Sequence, residues 1–222
     1  MSDKIVRDDV DKFFDYGIDI SSQTLYMGSE SEDENGETGV NYAMSERVIK
    51  GLHLLDRKVK NGITIIMNNI GGCTIHGMAI YDAIRACQNE VTIEVCGSAM
   101  SMGSLILQAA DYRVMTPNSI MMIHYGQAGF HDHPRIVERW TREGKRFDTK
   151  MEDIFLDKIK DKRITLEKYL ILINKEDQIP KGNAKNKLIE IDRDKLQSML
   201  NFDTIFNAQD ALELGLIDKI KE

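Results

Sequence analysis

Residues 96–126 read CGSAMSMGSLILQAADYRVMTPNSIMMIHYG, and this stretch determines how the rest of the chain is interpreted. An apolar β-type run, Val91 to Cys96, leads into it, and a tight turn is expected at Gly97. Small residues then present Ser101, and an apolar helical run follows from Ser104 to Ala110. The pattern therefore predicts that Ser101 lies where a strand gives way to a helix.

The same stretch ends on a histidine. Two more β-type runs, Tyr112 to Met115 and Ser119 to Ile123, follow the helix, and the second places His124 at its C-terminal end. At a strand-to-helix turn, backbone N–H groups of the helix start can stabilise an oxyanion. This is the geometry that a nucleophilic serine needs. Taken alone, Ser101 could equally be a helix N-cap, and Ser98 is a competing nucleophile outside the turn.

The composition is that of an acidic globular protein. The 222 residues are 42% hydrophobic and 29% charged, which suits one domain over residues 1–222. A net charge of -7 argues against nucleic acid as a partner. No apolar run approaches the ~18 residues of a membrane span, so no membrane association is expected.

Cysteine usage and the N-terminus predict the compartment. Cys73, Cys87 and Cys96 are an odd set without a disulfide-rich frame, which fits a reducing environment. Residues 1–17 are acidic and lack the apolar core of a signal peptide. We therefore expect a cytoplasmic protein.

Helical and β-type patterns alternate along the first half of the chain, at residues 42–58, 63–67, 74–87 and 91–96. This alternation predicts βαβ units and an α/β fold with a mainly parallel sheet. The turns at Gly71-Gly72 and at 97–103 would both open onto the C-terminal edge of that sheet, where α/β sites usually lie.

The second half has a different character. Arg135 to Lys162 is helical, and at about 1.5 Å per residue such a helix is too long to lie against one small core. It is predicted to project and to pack on another subunit. Residues 174–187 are polar and broken by proline and glycine, so they indicate a surface excursion, and the acidic run 28–39 indicates a solvated loop.

Four blocks of sequence resemble the proteolytic subunit of the Clp protease. Residues 97–103 (GSAMSMG) resemble its G-x-A-x-S-M-G nucleophile motif, and 121–124 (MMIH) resemble its M-I-H motif. Residues 69–82 and 207–218 are similar to its N-S-P-G-G…G-M-A-I-Y-D and S-A-x-E-A…G-L-V-D stretches. The blocks occur in the family's order over nearly the whole chain, and together they are specific.

The resemblance implies a crotonase-like fold, an α/β spiral of repeated ββα units, with a projecting handle helix at about 130–163. It implies a serine endopeptidase with Ser101 as nucleophile and His124 as general base. The backbone N–H groups of Gly72 and Met102 would form the oxyanion hole. It further implies polypeptide substrates, self-association into rings and stacked rings, and an ATP-driven unfoldase as partner.

Three features depart from the family's pattern. Residues 68–72 read NNIGG where the family has N-S-P-G-G, so the proline of the oxyanion turn is missing. The acidic triad member is displaced: Asp203 is the nearest acid, and Asn201, Asp194 or a dyad without an acid stay open. The excursion at 174–187 and the acidic loop suggest a divergent branch, such as the Clp-like peptidases of phages.

Other chemistries find less support. His131-Asp132-His133 lacks a third and a fourth ligand, so no metal site is predicted. No P-loop or dinucleotide loop is present, so no cofactor is expected. Two rival functions remain: a non-catalytic structural ring subunit of the same fold, which the displaced acid favours, and an acyl-CoA enzyme of the crotonase type, which the Ser101/His124 pairing opposes.

Overall fold

The computed structural model describes residues 7–29, 39–58, 62–127, 129 and 132–222. Most of the predicted acidic loop, and His131, lie outside the described residues. The strands are Ile18–Asp19 (β1), Thr24–Met27 (β2), Ile63–Asn69 (β3), Val91–Met100 (β4), Tyr112–Met115 (β5), Ile120–Ile123 (β6), Arg163–Thr165 (β7), Leu188–Glu190 (β8), Thr204–Asn207 (β9) and Lys219–Ile220 (β10). The α-helices are Arg7–Tyr16 (α1), Tyr42–Lys58 (α2), Thr74–Arg85 (α3), Met102–Leu107 (α4), Pro134–Ile159 (α5), Leu166–Leu172 (α6), Arg193–Leu200 (α7) and Ala208–Glu213 (α8).

One mixed sheet organises the molecule. Strands β2, β3, β4, β5 and β10 lie side by side and parallel, with β1 antiparallel to β2 at one edge. Strand β6 pairs in parallel with the end of β4, and β9 pairs antiparallel to β6. The predicted α/β fold with a mainly parallel sheet is confirmed.

Helix α2 shows why the apolar spacing gives this packing. Met44, Val48, Leu52 and Leu55 recur every three or four residues, and all four are buried. Burying each such side chain stabilises the fold by about 1.5–3 kcal/mol. Gly51 lets this face approach the sheet, since a Cβ there would lie 2.5 Å from a methyl carbon of Leu25.

Strand β4 does not turn at Gly97, and the predicted turn is wrong at this point. Its first half pairs with β5 and its second half with β6, so the strand changes partner at Gly97. Gly97 has a φ of 114°, and a Cβ there would lie 2.7 Å from the Asn68 side chain. Because glycine allows this bend, β4 continues to Met100 and carries Ser101 beside the end of β6.

Helix α5 divides into two parts. Pro134 opens it and the His133 ring caps it, accepting a hydrogen bond from the Arg135 N–H. From 134 to 150 its side chains are mostly exposed, whereas Met151 and Phe155 are buried against the rest of the chain. Only the first part of the predicted projecting helix therefore stands away from the core.

The excursion at 174–187 contains two short 3-10 segments, Glu176–Gln178 and Gly182–Asn186. Strand β7, which precedes α6, pairs antiparallel with β8, which follows the excursion, and the sequence pattern does not indicate this small sheet. No helix among the described residues combines the length and apolar composition that crossing a membrane needs.

Candidate active site

Ser101 lies at a sharp bend between β4 and α4. Its φ of 51° and ψ of -122° are rare for a residue other than glycine. Its N–H donates to the Met122 carbonyl at 2.9 Å, and its carbonyl accepts from the Ser104 hydroxyl at 2.6 Å. These bonds hold the bend, which leaves the Ser101 side chain at the sheet edge.

His124 follows β6 at the same edge of the sheet. Because β6 runs parallel to the end of β4, the chain leaves both strands on one side. The Nε2 atom of His124 lies 2.8 Å from the Ser101 Oγ. The predicted serine and histidine are therefore within hydrogen-bond distance.

Asp203 completes a line of hydrogen bonds. Strand β9 pairs antiparallel with β6 and places Thr204 opposite Ile123, so the residue before β9 lies beside the residue after β6. The Asp203 Oδ1 is 2.8 Å from the His124 Nδ1. Because a carboxylate only accepts, Nδ1 carries the proton and Nε2 is left to accept from the Ser101 hydroxyl. The Asp203 side chain is 71% exposed.

The other candidates for the acid lie elsewhere. Asn201 is the C-cap of α7, and its N–H donates to the Gln197 carbonyl. Asp194 lies in the first turn of that helix. Within the described part of the chain, Asp203 is the carboxylate in hydrogen-bond distance of His124.

The turn at 70–73 presents an N–H group that is unpaired within the described part of the chain. The N–H groups of Ile70, Gly71 and Cys73 each donate a hydrogen bond. The N–H of Gly72 has no acceptor among the residues that the structure describes. Gly72 lines the same pocket as Ser101, so its N–H is a donor available at the site.

Met102 offers a second donor of this kind. It is the first residue of α4, where helical N–H groups lack a partner within the helix, and in the described structure its N–H is unpaired. The two segments touch: a Cβ on Gly71 would lie 2.6 Å from the Ser101 Cβ and 3.0 Å from the Met102 N. Both predicted oxyanion donors thus come from adjoining backbone next to Ser101.

An open pocket of about 430 Å³ contains these groups. Its apolar wall includes Leu105 from α4 together with Phe147 and Met151 from α5. The sequence pattern did not single out these residues, because an apolar stripe on a helix looks the same whether it faces a core or a pocket. Helix α5 therefore contributes to the site as well as to the surface.

A buried carboxylate supports the segment after His124. The Tyr125 N–H donates to the Leu200 carbonyl at 2.7 Å, and its hydroxyl donates to Glu152 at 2.5 Å. Arg193 and Gln197, both on α7, also donate to Glu152. Burial alone would raise the pKa of Glu152, but the hydrogen bonds from these three side chains outweigh it and hold the pKa below its ordinary value.

The part of the chain that the structure describes contains no group of three His, Cys, Asp or Glu side chains that could bind one metal ion. His133 caps α5, and its sequence neighbour His131 lies outside the described residues.

Comparison with known proteins identifies the family. The family model described as Clp protease matches residues 36–222. The chain is 28% identical over 186 residues to the ATP-dependent Clp protease proteolytic subunit of Deinococcus radiodurans, an alignment that covers 82% of this chain and 76% of that protein. The family match spans most of the chain, including the bend at Ser101 and the strand that ends just before His124. The chain therefore belongs to the Clp protease family.

Proposed function

We propose that this chain is the catalytic subunit of a Clp-type serine endopeptidase, with residues 1–222 forming a single peptidase domain. The observation that carries the proposal is the hydrogen-bonded line from Asp203 through His124 to Ser101. It ends in a pocket beside the Gly72 and Met102 N–H groups, which have no acceptor among the residues that the structure describes. A serine hydroxyl with a base in reach and donors near the reacting carbonyl is what acyl transfer requires.

Cleavage proceeds in two halves. His124 Nε2 accepts the proton of the Ser101 hydroxyl as Oγ attacks the peptide carbonyl carbon, and the Gly72 and Met102 N–H groups donate to the developing oxyanion. The C–N bond breaks as His124 returns that proton to the leaving amine. Water, deprotonated by His124, then hydrolyses the acyl-enzyme and frees Ser101. Asp203 keeps the imidazole oriented and stabilises its charged form.

The substrates are extended polypeptides. The pocket is open on the surface, so a chain can cross it while its backbone pairs with strand-like segments beside the cleft. No cofactor enters the reaction as written, since amide hydrolysis needs only the nucleophile, the base and the oxyanion donors. We place this activity in the cytoplasm, and neither nucleic acid nor a membrane takes part in it.

The first part of α5 supports assembly into rings and stacked rings. Ile136 and Trp140 lie one turn apart and are 40% and 48% exposed. Apolar side chains on a long helix that leaves the core are suited to cover another subunit. The related Deinococcus subunit is named as ATP-dependent, which supports an ATP-driven unfoldase as a further partner.

Charged residues on this surface are expected to reduce the assembly. In the variant Ile136→Glu/Trp140→Glu, two carboxylates would have to lose water at the interface, so the particle mass measured by light scattering should fall. The control Thr141→Glu/Thr149→Glu adds the same charge to exposed polar positions of α5 and should keep the assembly. Equal mass for both variants would show that this surface is not the contact.

Labelling with a fluorophosphonate probe tests the activity itself. Intact-mass analysis should find one adduct on the unmodified chain and none on Ser101→Ala, because only a serine activated by a base reacts readily. Ser98→Ala, which removes a serine from the strand that precedes Ser101, should still be labelled. Absence of an adduct on folded, assembled protein would overturn the peptidase proposal and favour the structural ring subunit.

A further inference from the structure

We propose that Asn69 is a positioning residue that fixes the oxyanion hole, an inference that rests on the proposed function. Asn69 ends β3, and none of its surface is exposed. Its Oδ1 accepts a hydrogen bond from the Gly71 N–H at 2.8 Å. Its Nδ2 donates to the Gly28 carbonyl at 2.6 Å, just after β2. One buried amide thus ties the oxyanion turn to the neighbouring strand.

This tie acts on a turn that contains two successive glycines. Gly71 and Gly72 have φ values of 97° and 145°, and successive glycines tolerate many other conformations. A second bond joins the Gly71 carbonyl to the Val40 N–H at 2.6 Å. With both polar groups of Gly71 held, the peptide that carries the Gly72 N–H has little freedom to rotate.

The same side chain also touches the second donor segment. A Cβ on Gly103 would lie 2.7 Å from the Asn69 Oδ1, so the backbone of α4 rests directly on the amide. Met102, the residue before Gly103, supplies the other predicted donor. Asn69 therefore contacts both backbone segments whose N–H groups would bind the oxyanion, and it lines no part of the pocket itself.

The residue after Asn69 provides a way to separate positioning from folding. Ile70 occupies the place of the proline in the family's turn motif, and its side chain is 53% exposed. Proline there would restrict the turn through its own ring. Asn69 is the last residue of a strand, an extended conformation that suits the position before proline. Ile70→Pro removes the hydrogen bond from the Ile70 N–H to the exposed Ser29 hydroxyl, but its ring should replace part of the restraint that Asn69 supplies.

The test is the rate of fluorophosphonate labelling in four variants. Asn69→Ala should label roughly tenfold more slowly, less than the about 10²–10³ expected for complete loss of a donor. Asn69→Ser, whose hydroxyl can still accept a hydrogen bond from the Gly71 N–H, should be labelled faster than Asn69→Ala. Adding Ile70→Pro to Asn69→Ala should raise the labelling rate at least about threefold above that of Asn69→Ala alone. Asn68→Ala, which removes the neighbouring exposed asparagine, should label like the unmodified chain.

The pH profile separates positioning from general disruption. If Asn69 acts only on the oxyanion donors, Asn69→Ala should be labelled more slowly at every pH. The pH at which the labelling rate reaches half its maximum should be the same as in the unmodified chain. Wild-type rates in Asn69→Ala and Asn69→Ser would overturn the inference while leaving the peptidase proposal intact. A slow Asn69→Ala whose half-maximal pH is shifted from that of the unmodified chain would also overturn it. If the unmodified chain is not labelled, the proposed function itself fails.

Discussion

Replacing His124 with alanine is expected to lower kcat for peptide hydrolysis by about 10⁴–10⁶. The Ser101 hydroxyl then lacks the base 2.8 Å away that would take its proton. Neither the N–H groups of the proposed oxyanion hole nor substrate binding is expected to depend on this imidazole, so KM should change little. Initial rates on a fluorogenic peptide measure both constants. His53→Ala, at an exposed position on α2, is the matched control and should retain full activity.

A double variant shows whether Asp203 acts through His124. Asp203→Asn alone should lower kcat, although by less than the about 10⁴ known for a buried triad acid, because this carboxylate is 71% exposed and water screens its charge. In the His124→Ala background the same change should cost almost nothing further. A full additional loss in that background would contradict the arrangement Asp203–His124–Ser101.

Replacing Glu152 with alanine is expected to destabilise the fold by about 2–3 kcal/mol. The Glu152 side chain is 7% exposed and accepts hydrogen bonds from Tyr125, Arg193 and Gln197. Removing it leaves these donors without their acceptor in a buried place. Because the Arg193 side chain is 42% exposed, water can solvate part of it, and we expect less than the about 3–5 kcal/mol typical of a fully buried pair. Urea unfolding measures the change.

The neighbouring acid is the control for this effect. Asp153 also bonds to Arg193, but its side chain is 60% exposed, so Asp153→Ala should cost less than about 1 kcal/mol. Since the folded state lowers the pKa of Glu152, the unfolded chain binds more protons near that pKa. The stability that Glu152 contributes should therefore be full at about pH 7 and fall as the pH drops below its ordinary pKa. Equal losses for the two alanine variants would refute a special role for Glu152.

Local sequence patterns predicted the elements that form in the same way whichever other element they pack against. Helix α2 begins and ends where its apolar spacing indicated, because one face of a long amphipathic helix has a single way to be buried. The predicted location of Ser101, where a strand gives way to a helix, and of His124, after a strand, agrees with the structure. A serine in a small-residue segment and a histidine after an apolar run can both be recognised from the local sequence.

The features that depend on pairing could not be predicted from local sequence. Gly97 looks like a turn in isolation, but β4 has a second partner beyond it, and the hydrogen bonds to β6 keep the strand extended. Strand β9 is four residues long and gave no β-type signal, yet its pairing with β6 is what brings Asp203 to His124. The distance along the chain suggested Asp203; only the topology explains its position.

The sequence also did not predict which charged side chain is buried or which part of α5 packs in the core. Glu152 lies on a helix rich in charged residues, where a carboxylate is normally solvated. Glu152 is buried because α7 and Tyr125 pack over it, and the spacing of residues along α5 does not predict this packing. The stripe that contains Phe155 fits a core or a subunit contact equally well, and the structure places Phe155 in the core.

The backbone at Ser101 has an evolutionary consequence. Its positive φ is a conformation that glycine adopts freely, whereas a serine there costs the fold about 1–3 kcal/mol. Under the proposed mechanism, the chain tolerates this cost because catalysis needs the Ser101 hydroxyl. A descendant that no longer cleaved peptides would gain stability at once by replacing Ser101 with glycine, so selection for stability and selection for hydrolysis oppose each other at this residue. Retention of serine along a lineage would then mark continued catalysis, and its replacement by glycine would mark the origin of a purely architectural subunit.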